Sequence, residues 1–384
     1  MPKEYKKLFT PFKIGNKLLK NRVTMAPFVT GYGNRNGTVS KKLIEHHARL
    51  AKSKIAMIVV EAALVSLSGK GLPAQIRIDH DRFIPGLKRL SNIIKDNGAV
   101  ACIQLQHSDR FVRLKRPVSI SGVHYRLASG TAITIQHMII EEIEKTENDF
   151  AHAALRAKKA GFDLVELHGA TGYLLTQFVS PRTNKRTDAY GGSFKKRIRF
   201  PIEIVRKIKE LCGKDFPIGY RFLADEFLPD GLKISEAKKF AKELEKAGIS
   251  YFSVTGGTYE SLFLPEVREI MKKEGSTVFL AEEIKKEVNV PVFGNGRITN
   301  PYYADSIIYS EKVDAVALAR PLFADPDFLI KSQKGEIEKI IKCIDCGNCA
   351  DQILRLGKPV SCSQWKKKEH KQKVYKMNKM INAC

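Results

Sequence analysis

The feature that most limits how this chain can fold is a series of eight short apolar runs, each followed by a loop and an amphipathic helical pattern. Such alternation is typical of parallel strands joined by helical crossovers. Eight consecutive strand-helix units predict an α/β fold, the closed (β/α)8 or TIM barrel. The predicted strands cover residues 23–28, 55–65, 99–106, 163–169, 217–224, 251–257, 290–296 and 315–321.

The spacing of these runs predicts how the chain is divided. The longest interval follows the third strand, so residues 107–142 are expected to leave the barrel as a long excursion. We assign residues 1–335 to the barrel and residues 336–384 to a C-terminal segment. The carboxyl ends of barrel strands carry the site in such folds. Polar or glycine residues end the third to eighth runs, so these residues can converge on one mouth.

Composition excludes several classes of protein. With 384 residues, 43% of them apolar, the chain can bury a large core. Its apolar runs are far shorter than the roughly 20 residues of a membrane helix, and the N-terminus lacks the apolar core of a signal peptide. Seven cysteines without a paired framework fit a reducing compartment. A cytoplasmic protein without membrane segments is therefore expected.

The net charge of +25 suggests nucleic-acid binding at first sight. The lysines are spread over nearly every predicted helix and mixed with glutamates, which is typical of solvated helix surfaces rather than of one basic stripe. We therefore predict no nucleic-acid partner. The exception is a basic tail, in which seven lysines follow Trp365 within 14 residues. This tail could steer an acidic partner protein.

Four cysteines of the C-terminal segment, Cys343, Cys346, Cys349 and Cys362, have the spacing Cys-x2-Cys-x2-Cys-x12-Cys. Three thiolates from one tight loop and a fourth from a returning segment can hold a cuboidal 4Fe-4S cluster. A structural zinc site usually uses two separated Cys-x2-Cys pairs. The spacing favours an iron-sulfur cluster and electron transfer. Zinc and four free thiols are the alternatives that spacing alone leaves open.

Two motifs after the last two strands indicate a phosphate site. GNGR at 294–297 offers glycines that let backbone N–H groups approach an anion. LARP at 318–321 adds Arg320, whose guanidinium can form a charge-assisted pair with a phosphate. Barrel enzymes commonly hold a cofactor phosphate at this position.

The most distinctive stretch is HGATGYLLTQFVSPRTNKRTDAYGGSFKKRIRF at 168–200, and QLQHSDR at 104–110 and ARPLFADP at 319–326 are further motifs. With them the chain resembles the old yellow enzyme family of FMN-dependent ene-reductases. The resemblance extends to the branch with an appended 4Fe-4S cluster, which includes 2,4-dienoyl-CoA reductase and trimethylamine dehydrogenase. The cysteine spacing matches the amine dehydrogenase, whereas the dienoyl-CoA reductase has one more residue between the second and third cysteines.

The resemblance implies an FMN site in the barrel. Gln104 would pair with the pyrimidine edge of the flavin through its amide, and Arg221 would stabilise negative charge on the reduced ring. The residues implied around the ring are Ala26, Pro27, Ala62, Gln104 and Arg221. Those implied around the phosphate are Gly257, Gly294, Gly296, Ala319 and Arg320.

The resemblance also implies the catalytic groups. Two side chains three residues apart, His168 and Thr171, would donate hydrogen bonds to a carbonyl oxygen, and Tyr173 would protonate carbon. Thr171 departs from the family, which usually has Asn or His there, so the oxygen site is either shifted or served mainly by His168. Tyr259 falls near a second catalytic residue of the dienoyl-CoA reductase and is expected to contact substrate.

The expected reaction is reduction of the C=C bond of an unsaturated carbonyl compound: an enoyl thioester, an enoate, or an enone such as a steroid. An amine dehydrogenase or demethylase is the first alternative, but its substrate needs an aromatic bowl. The single tryptophan, Trp365, lies past the last cysteine, and Ile353 occupies the position of a bowl tryptophan. An electron-transfer subunit of a larger complex is the second alternative.

The source of electrons is also an expectation. The cluster-bearing relatives continue into FAD- and NAD(P)-binding domains, and this chain has no G-x-G-x-x-G motif after a strand. Electrons are therefore expected from NAD(P)H at the barrel mouth or from a separate flavoprotein or ferredoxin.

Overall fold

The computed structural model describes residues 5–109, 118–121, 123–126 and 132–365. Eight parallel strands close into a barrel in which spatial order follows chain order, and this confirms the predicted fold and all eight predicted strands. The strands are β1 (Phe12–Ile14), β2 (Lys17–Leu19), β3 (Val23–Met25), β4 (Met57–Leu64), β5 (Val100–Gln106), β6 (Val118–Ser119), β7 (Val123–Arg126), β8 (Ala132–His137), β9 (Leu164–Gly169), β10 (Ile218–Asp225), β11 (Tyr251–Gly256), β12 (Val292–Gly294) and β13 (Ala315–Leu318).

Helices cover the outside of the barrel. Their apolar residues recur at helical spacing and face the strands, as in α6, where Phe200, Ile204 and Ile208 are buried. The α-helices are α1 (Lys41–Lys52), α2 (Ile84–Asp96), α3 (Ile140–Lys159), α4 (Leu174–Val179), α5 (Phe194–Arg197), α6 (Arg199–Cys212), α7 (Ile234–Ala247), α8 (Pro265–Lys272), α9 (Val278–Lys285), α10 (Pro301–Tyr309), α11 (Arg320–Ala324), α12 (Phe328–Gln333) and α13 (Asn348–Ala350). In the part of the chain that the structure describes, no helix is long and apolar enough to cross a bilayer.

The barrel strands are β3, β4, β5 and β9 to β13, and two additional sheets flank them. The β1–β2 hairpin inserts Ile14 and Leu19 into an apolar cluster with Met57 and Leu164 inside the barrel. Gly15 of this hairpin lies against Pro217, which precedes β10, so the hairpin covers the amino ends of the strands. The other sheet, β6–β8–β7, lies in the predicted excursion between β5 and β9.

Two glycines make room for large side chains within the barrel sheet. A Cβ at Gly169 would lie 2.1 Å from the ring of Tyr220, and one at Gly219 would lie 2.0 Å from that of Tyr251. Both rings are fully buried. A side chain at either glycine would overlap an aromatic ring, so each pair fills one fixed volume between neighbouring strands.

The segment after the barrel packs on the loop that follows β3. Tyr32 Oη donates to the Val360 carbonyl at 2.8 Å, and the Val360 N–H donates to the Thr30 carbonyl at 2.9 Å. Gly31 leaves space for Ile353, whose Cδ1 would lie 2.7 Å from a Cβ at that position. Residues 351–355 form a π-helical turn. The predicted basic tail after Trp365 lies outside the described residues.

Candidate active site

A cavity of about 400 Å³ opens at the carboxyl ends of the barrel strands. Its volume falls in the range of ligand sites. Six residues predicted from the sequence line it: Ala26, Pro27, Arg221, Gly296, Ala319 and Arg320. Gly257 and Gly294 adjoin the lining residues Gly256 and Asn295 in the chain, and a Cβ at Gly294 would be 2.9 Å from Val313. Ala62, on β4, is not among the lining residues.

Arg221 is held in place beneath the cavity. Its Nη1 donates to Ser253 Oγ at 2.8 Å and to Asn295 Oδ1 at 2.6 Å. Burial lowers the pKa of Arg221, and the Glu166 carboxylate on the neighbouring strand opposes that change. Because guanidinium groups stay charged in proteins, Arg221 places a fixed positive charge at this end of the barrel.

Gln104 is not among the residues that line the cavity, and the same carboxylate engages its amide. Its Nε2 donates to Glu166 Oε1 at 2.9 Å, and Tyr251 Oη donates to Glu166 Oε2 at 2.8 Å. These bonds fix the rotamer of the Gln104 amide and leave its carbonyl oxygen to accept. The predicted pairing with a flavin edge stays a prediction, but the amide is preorganised for a single ligand orientation.

The opposite end of the cavity suits an anion. Gly296 has a φ of 96°, and a Cβ there would lie 2.7 Å from the backbone nitrogen of Thr277 and 2.9 Å from that of Ser276. Two arginines, Arg297 and Arg320, stand beside this glycine. Gly296 and Arg320 were predicted from the sequence. Arg297 belongs to the same GNGR motif but was not predicted as a site residue. The Ser276 N–H already donates to the Gly296 carbonyl at 3.1 Å, so the two guanidinium groups are the donors that fit a phosphate here.

A second cavity, of about 270 Å³, lies at the same mouth. Apolar residues on one side and amide and hydroxyl groups on the other make it suitable for a neutral molecule with one polar end. Its lining consists of Val29, Gly71, Leu72, Gln75, Gln106, Ser108, Tyr173, Tyr259 and Leu354. Leu354 comes from the C-terminal segment, so that segment contributes directly to the pocket.

His168 lies at the end of β9, opposite Arg221 in the sheet register. Burial lowers its pKa to about 3, and the nearby Arg221 charge acts in the same direction, so the imidazole is neutral at physiological pH. Its Nδ1 atom is buried and has no hydrogen-bond partner among the described residues. An unpaired buried polar atom is uncommon and calls for an explanation, which a bound ligand or a water molecule would provide.

Tyr173 packs edge to face on His168, with 4.8 Å between the ring centroids. Its hydroxyl lies 2.8 Å from that of Tyr259. Burial raises the pKa of Tyr173 well above its ordinary value, so the phenol keeps its proton. Tyr173 and Tyr259, both predicted from the sequence, therefore share one pocket. Their direct contact was not indicated by the sequence.

The backbone of Thr171 explains why the two tyrosines meet. Thr171 has a φ of 65°, a left-handed conformation that is rare for a β-branched residue. In this conformation its backbone bridges to Thr258, and its carbonyl accepts from Tyr259 N–H at 3.3 Å. Local strain of this kind is concentrated at functional sites. A hydrogen bond from its hydroxyl to substrate stays a prediction.

The four predicted cysteine ligands line a third cavity, next to the first. Arg320, Cys343 and Asp345 line both. Cys346 Sγ lies 3.2 Å from Ser363 Oγ, and this contact is the main reason why its pKa is lowered. Across the described ranges, no three His, Cys, Asp or Glu side chains are arranged to hold a single metal ion. The structure thus groups the thiols without a preformed single-ion site.

Several site residues were missed by sequence reasoning. Asn295 and Glu166 orient Arg221 and Gln104, and Asp345 contacts both Arg297 and Arg320. Asn295 stands inside a motif that the sequence did indicate, so its position was a usable signal. Glu166 alternates with apolar neighbours on β9, and nothing in its local pattern distinguishes it from a core-facing salt-bridge residue.

These features define the chain as an oxidoreductase enzyme on a (β/α)8 barrel. It belongs to the NADH:flavin oxidoreductase / NADH oxidase family, whose family model matches residues 7–339. The family is of the old yellow enzyme type, and FMN is its flavin, as the sequence predicted. The Gly296 turn and the arginine pair fit the phosphate of that cofactor.

Relatives of known structure or name agree with this assignment. The chain is 41% identical over 361 residues to the NADH oxidase of Thermoanaerobacter brockii, covering 91% of this chain and 55% of that protein. A 2-naphthoyl-CoA reductase in complex with 2-naphthoyl-CoA superposes with a TM-score of 0.88 at 29% identity, over 94% of this chain and 57% of that one. Histamine dehydrogenase from Rhizobium sp. 4-9 superposes with a TM-score of 0.82 at 30% identity, over 94% of this chain and 52% of that one. The chain spans about half the length of these relatives.

Proposed function

We propose that this enzyme reduces the C=C bond of an α,β-unsaturated carbonyl compound, with FMN as its flavin and NAD(P)H as an electron source. The observation that carries the proposal is the ring contact between two neutral groups, His168 and Tyr173, of which Tyr173 lines the second cavity. His168 presents an unpaired nitrogen and Tyr173 a phenol that keeps its proton. Similarity to a 2-naphthoyl-CoA reductase supports a conjugated acyl or ketone substrate.

The cavity lined by Arg221 and Arg320 would hold the flavin, with the phosphate at the Gly296 end. When bound, FMN would supply the hydride for the β-carbon of the substrate. The protein groups then act on the rest of the molecule. His168 would donate a hydrogen bond to the carbonyl oxygen and stabilise the charge that develops there.

Tyr173 would supply the proton for the α-carbon. A phenol with a raised pKa is protonated over the whole physiological range, so the donor is ready before the substrate binds. The C=C bond then gains a hydride at its β-carbon and a proton at its α-carbon, and Tyr173 regains its proton from solvent. Tyr259 lines the same pocket and would contact the substrate there.

The similarity to histamine dehydrogenase keeps amine oxidation as a second candidate. The position of Trp365 disfavours it. The indole ring packs on Phe323 at 4.7 Å between centroids and donates its N–H to the Ala324 carbonyl at 3.1 Å. This tryptophan is therefore engaged beside the barrel, and Ile353 is buried against Gly31. Neither supplies an aromatic wall for a cation.

We further propose that residues 336–384 form a 4Fe-4S segment of the kind found with 2,4-dienoyl-CoA reductase and trimethylamine dehydrogenase. The common cavity of Cys343, Cys346, Cys349 and Cys362 supports it. A cluster there would relay electrons between the flavin and a separate acidic flavoprotein or ferredoxin. A pure electron-transfer subunit is a weaker proposal, because a relay has no use for His168 and Tyr173.

The experiment for the reaction is rapid mixing of the dye-reduced enzyme with an enone, with the Tyr173→Phe variant beside wild type. Loss of the general acid should slow flavin reoxidation by about 10² to 10⁴, and flavin reduction should be unaffected. Tyr309→Phe, on an exposed helix, is the control. Reoxidation at the wild-type rate in Tyr173→Phe would show that another group donates the proton.

The partner is tested by its salt dependence. Cluster reduction by a low-potential ferredoxin or flavoprotein should slow steeply as salt rises, because electrostatic steering is screened beyond about 8 Å at physiological ionic strength. Truncation after Trp365 should reproduce most of this loss. Full turnover with NADH in a cluster-free Cys346→Ser variant would contradict the partner proposal.

A further inference from the structure

Asp345 joins the cysteine loop to the anion end of the flavin cavity. It stands between Cys343 and Cys346 and lines both of their cavities. Its Oδ1 contacts Arg320 Nη1, and its Oδ2 lies 3.3 Å from Arg297 Nη1. The two carboxylate oxygens therefore bridge two arginines, one after β12 and one after β13.

The same two arginines are the groups that a flavin phosphate would use. Arg221, the third cationic group of the cavity, donates to Ser253 and Asn295, and Arg297 Nη1 donates to the Lys272 carbonyl at 2.9 Å, which leaves its other N–H groups for an anion. A phosphate monoester carries a charge of about −1.5 to −2 at neutral pH, which two guanidinium groups balance. A carboxylate on the same arginines would add a further negative charge in contact with the phosphate. The two anions are therefore alternative occupants.

The backbone around Asp345 is suited to such an exchange. Asp345 has a φ of 56°, and Gly347 has a φ of 72°, so two left-handed residues flank Cys346. Asp tolerates this conformation because its short polar side chain can compensate locally. The Asp345 side chain is 27% exposed, so its release to solvent needs no rearrangement of the core.

We propose that Asp345 is a built-in competitor for the phosphate site, so that flavin binding releases the loop between Cys343 and Cys346 from the barrel. The inference rests on the proposed function, since it takes this cavity as the FMN site. Flavin binding and the mobility of the loop that carries Cys343 and Cys346 are then linked, because each flavin phosphate that binds displaces the Asp345 carboxylate from the arginines. Reciprocity requires that fixing the loop against the arginines weakens flavin binding.

The first test measures binding to the full chain stripped of flavin and iron. Asp345→Asn keeps the side-chain volume and the tolerated backbone conformation but removes the charge. We expect FMN to bind about three- to tenfold more tightly to this variant by quenching of flavin fluorescence, the range set by loss of two partly exposed ion pairs. Inorganic phosphate should compete with FMN in both proteins, with a similar gain in the variant.

The second test can be done on the wild-type chain alone, so it does not depend on whether a variant folds. Alkylation of Cys343 and Cys346 in the stripped wild-type chain, followed by peptide mass spectrometry, reports how free the loop is. Saturating inorganic phosphate should raise both rates several-fold, with half-saturation at the dissociation constant for phosphate. In Asp345→Asn the rates should be high without phosphate and unchanged by it.

Asp351→Asn is the matched control, because Asp351 lies in the same segment and pairs with Arg355 away from the cavity. It should behave as wild type in both tests. Equal or weaker FMN binding in Asp345→Asn, or alkylation rates indifferent to phosphate, would overturn the inference while the flavin site stands. A wild-type chain that binds neither FMN nor phosphate would remove the proposed function together with this inference.

Discussion

Glu61 should make the stability of the barrel fall as pH rises. This carboxyl group lies on β4, only 2% exposed. Its Oε2 accepts from Thr30 N–H at 3.0 Å and from the Thr30 hydroxyl. Burial raises the pKa of Glu61 to about 7, because the bonds from Thr30 and Gly31 compensate only part of the lost hydration.

The sign follows from comparing the folded and unfolded chains. The ordinary pKa of this group is 4.5, so between that pH and about 7 the folded protein holds a proton that the unfolded chain has lost. The stabilisation from Glu61 is complete below pH 4.5 and is lost as pH rises through 7. A difference of about 2.5 pH units corresponds to about 3 kcal/mol of unfolding free energy.

The variant Glu61→Gln removes the titration and resembles the protonated side chain. Urea unfolding at pH 5 and pH 8 gives the free energy of unfolding for wild type and variant. The variant should gain about 2 to 3 kcal/mol relative to wild type between these pH values. Glu269→Gln, on an exposed ion pair, should gain nothing. A constant difference between wild type and Glu61→Gln would refute the reasoning, as would a difference that shrinks with rising pH.

Three further outcomes are expected. Anaerobically purified wild-type protein should hold about four irons and four labile sulfides, and Cys346→Ser should lose them. The variant should keep FMN, because the flavin cavity is lined mainly by other elements. Metal analysis and the visible spectrum check both outcomes. His168→Ala should weaken binding of a phenol or enone to the oxidised enzyme, by about five- to tenfold in a spectral titration, since one oxygen-directed hydrogen bond is lost. Gly219→Ala should leave little folded protein by circular dichroism, because its Cβ would overlap Tyr251.

The fold was predictable because the barrel strands are largely buried on both faces, so each is a mainly apolar run in the sequence. The excursion was predictable only by position, since its three strands pair with one another and not with the barrel. The site was predictable where a motif combines cofactor chemistry and local order, as at Gly296 and Arg320.

Contacts between distant loops were not predictable in this way. The hydroxyls of Tyr173 and Tyr259 meet where the left-handed backbone of Thr171 bridges to the loop of Tyr259. The contact of Asp345 with Arg320 depends on how the C-terminal segment packs on the barrel. No periodicity in the sequence records such distances, because each depends on the placement of two separate elements.

The glycine-tyrosine pairs of the barrel sheet also bear on how this enzyme could be altered. Gly169 with Tyr220, and Gly219 with Tyr251, each occupy one volume in which either partner can change only if the other changes with it. Because Gly219 and Tyr220 are adjacent on β10, the two pairs form a chain across three strands, from β9 to β11. A larger residue at either glycine would overlap a tyrosine ring, and a smaller residue at either tyrosine would leave a cavity. Directed evolution toward new substrates should therefore hold these four positions constant and randomise the pocket of Leu72 and Leu354 instead.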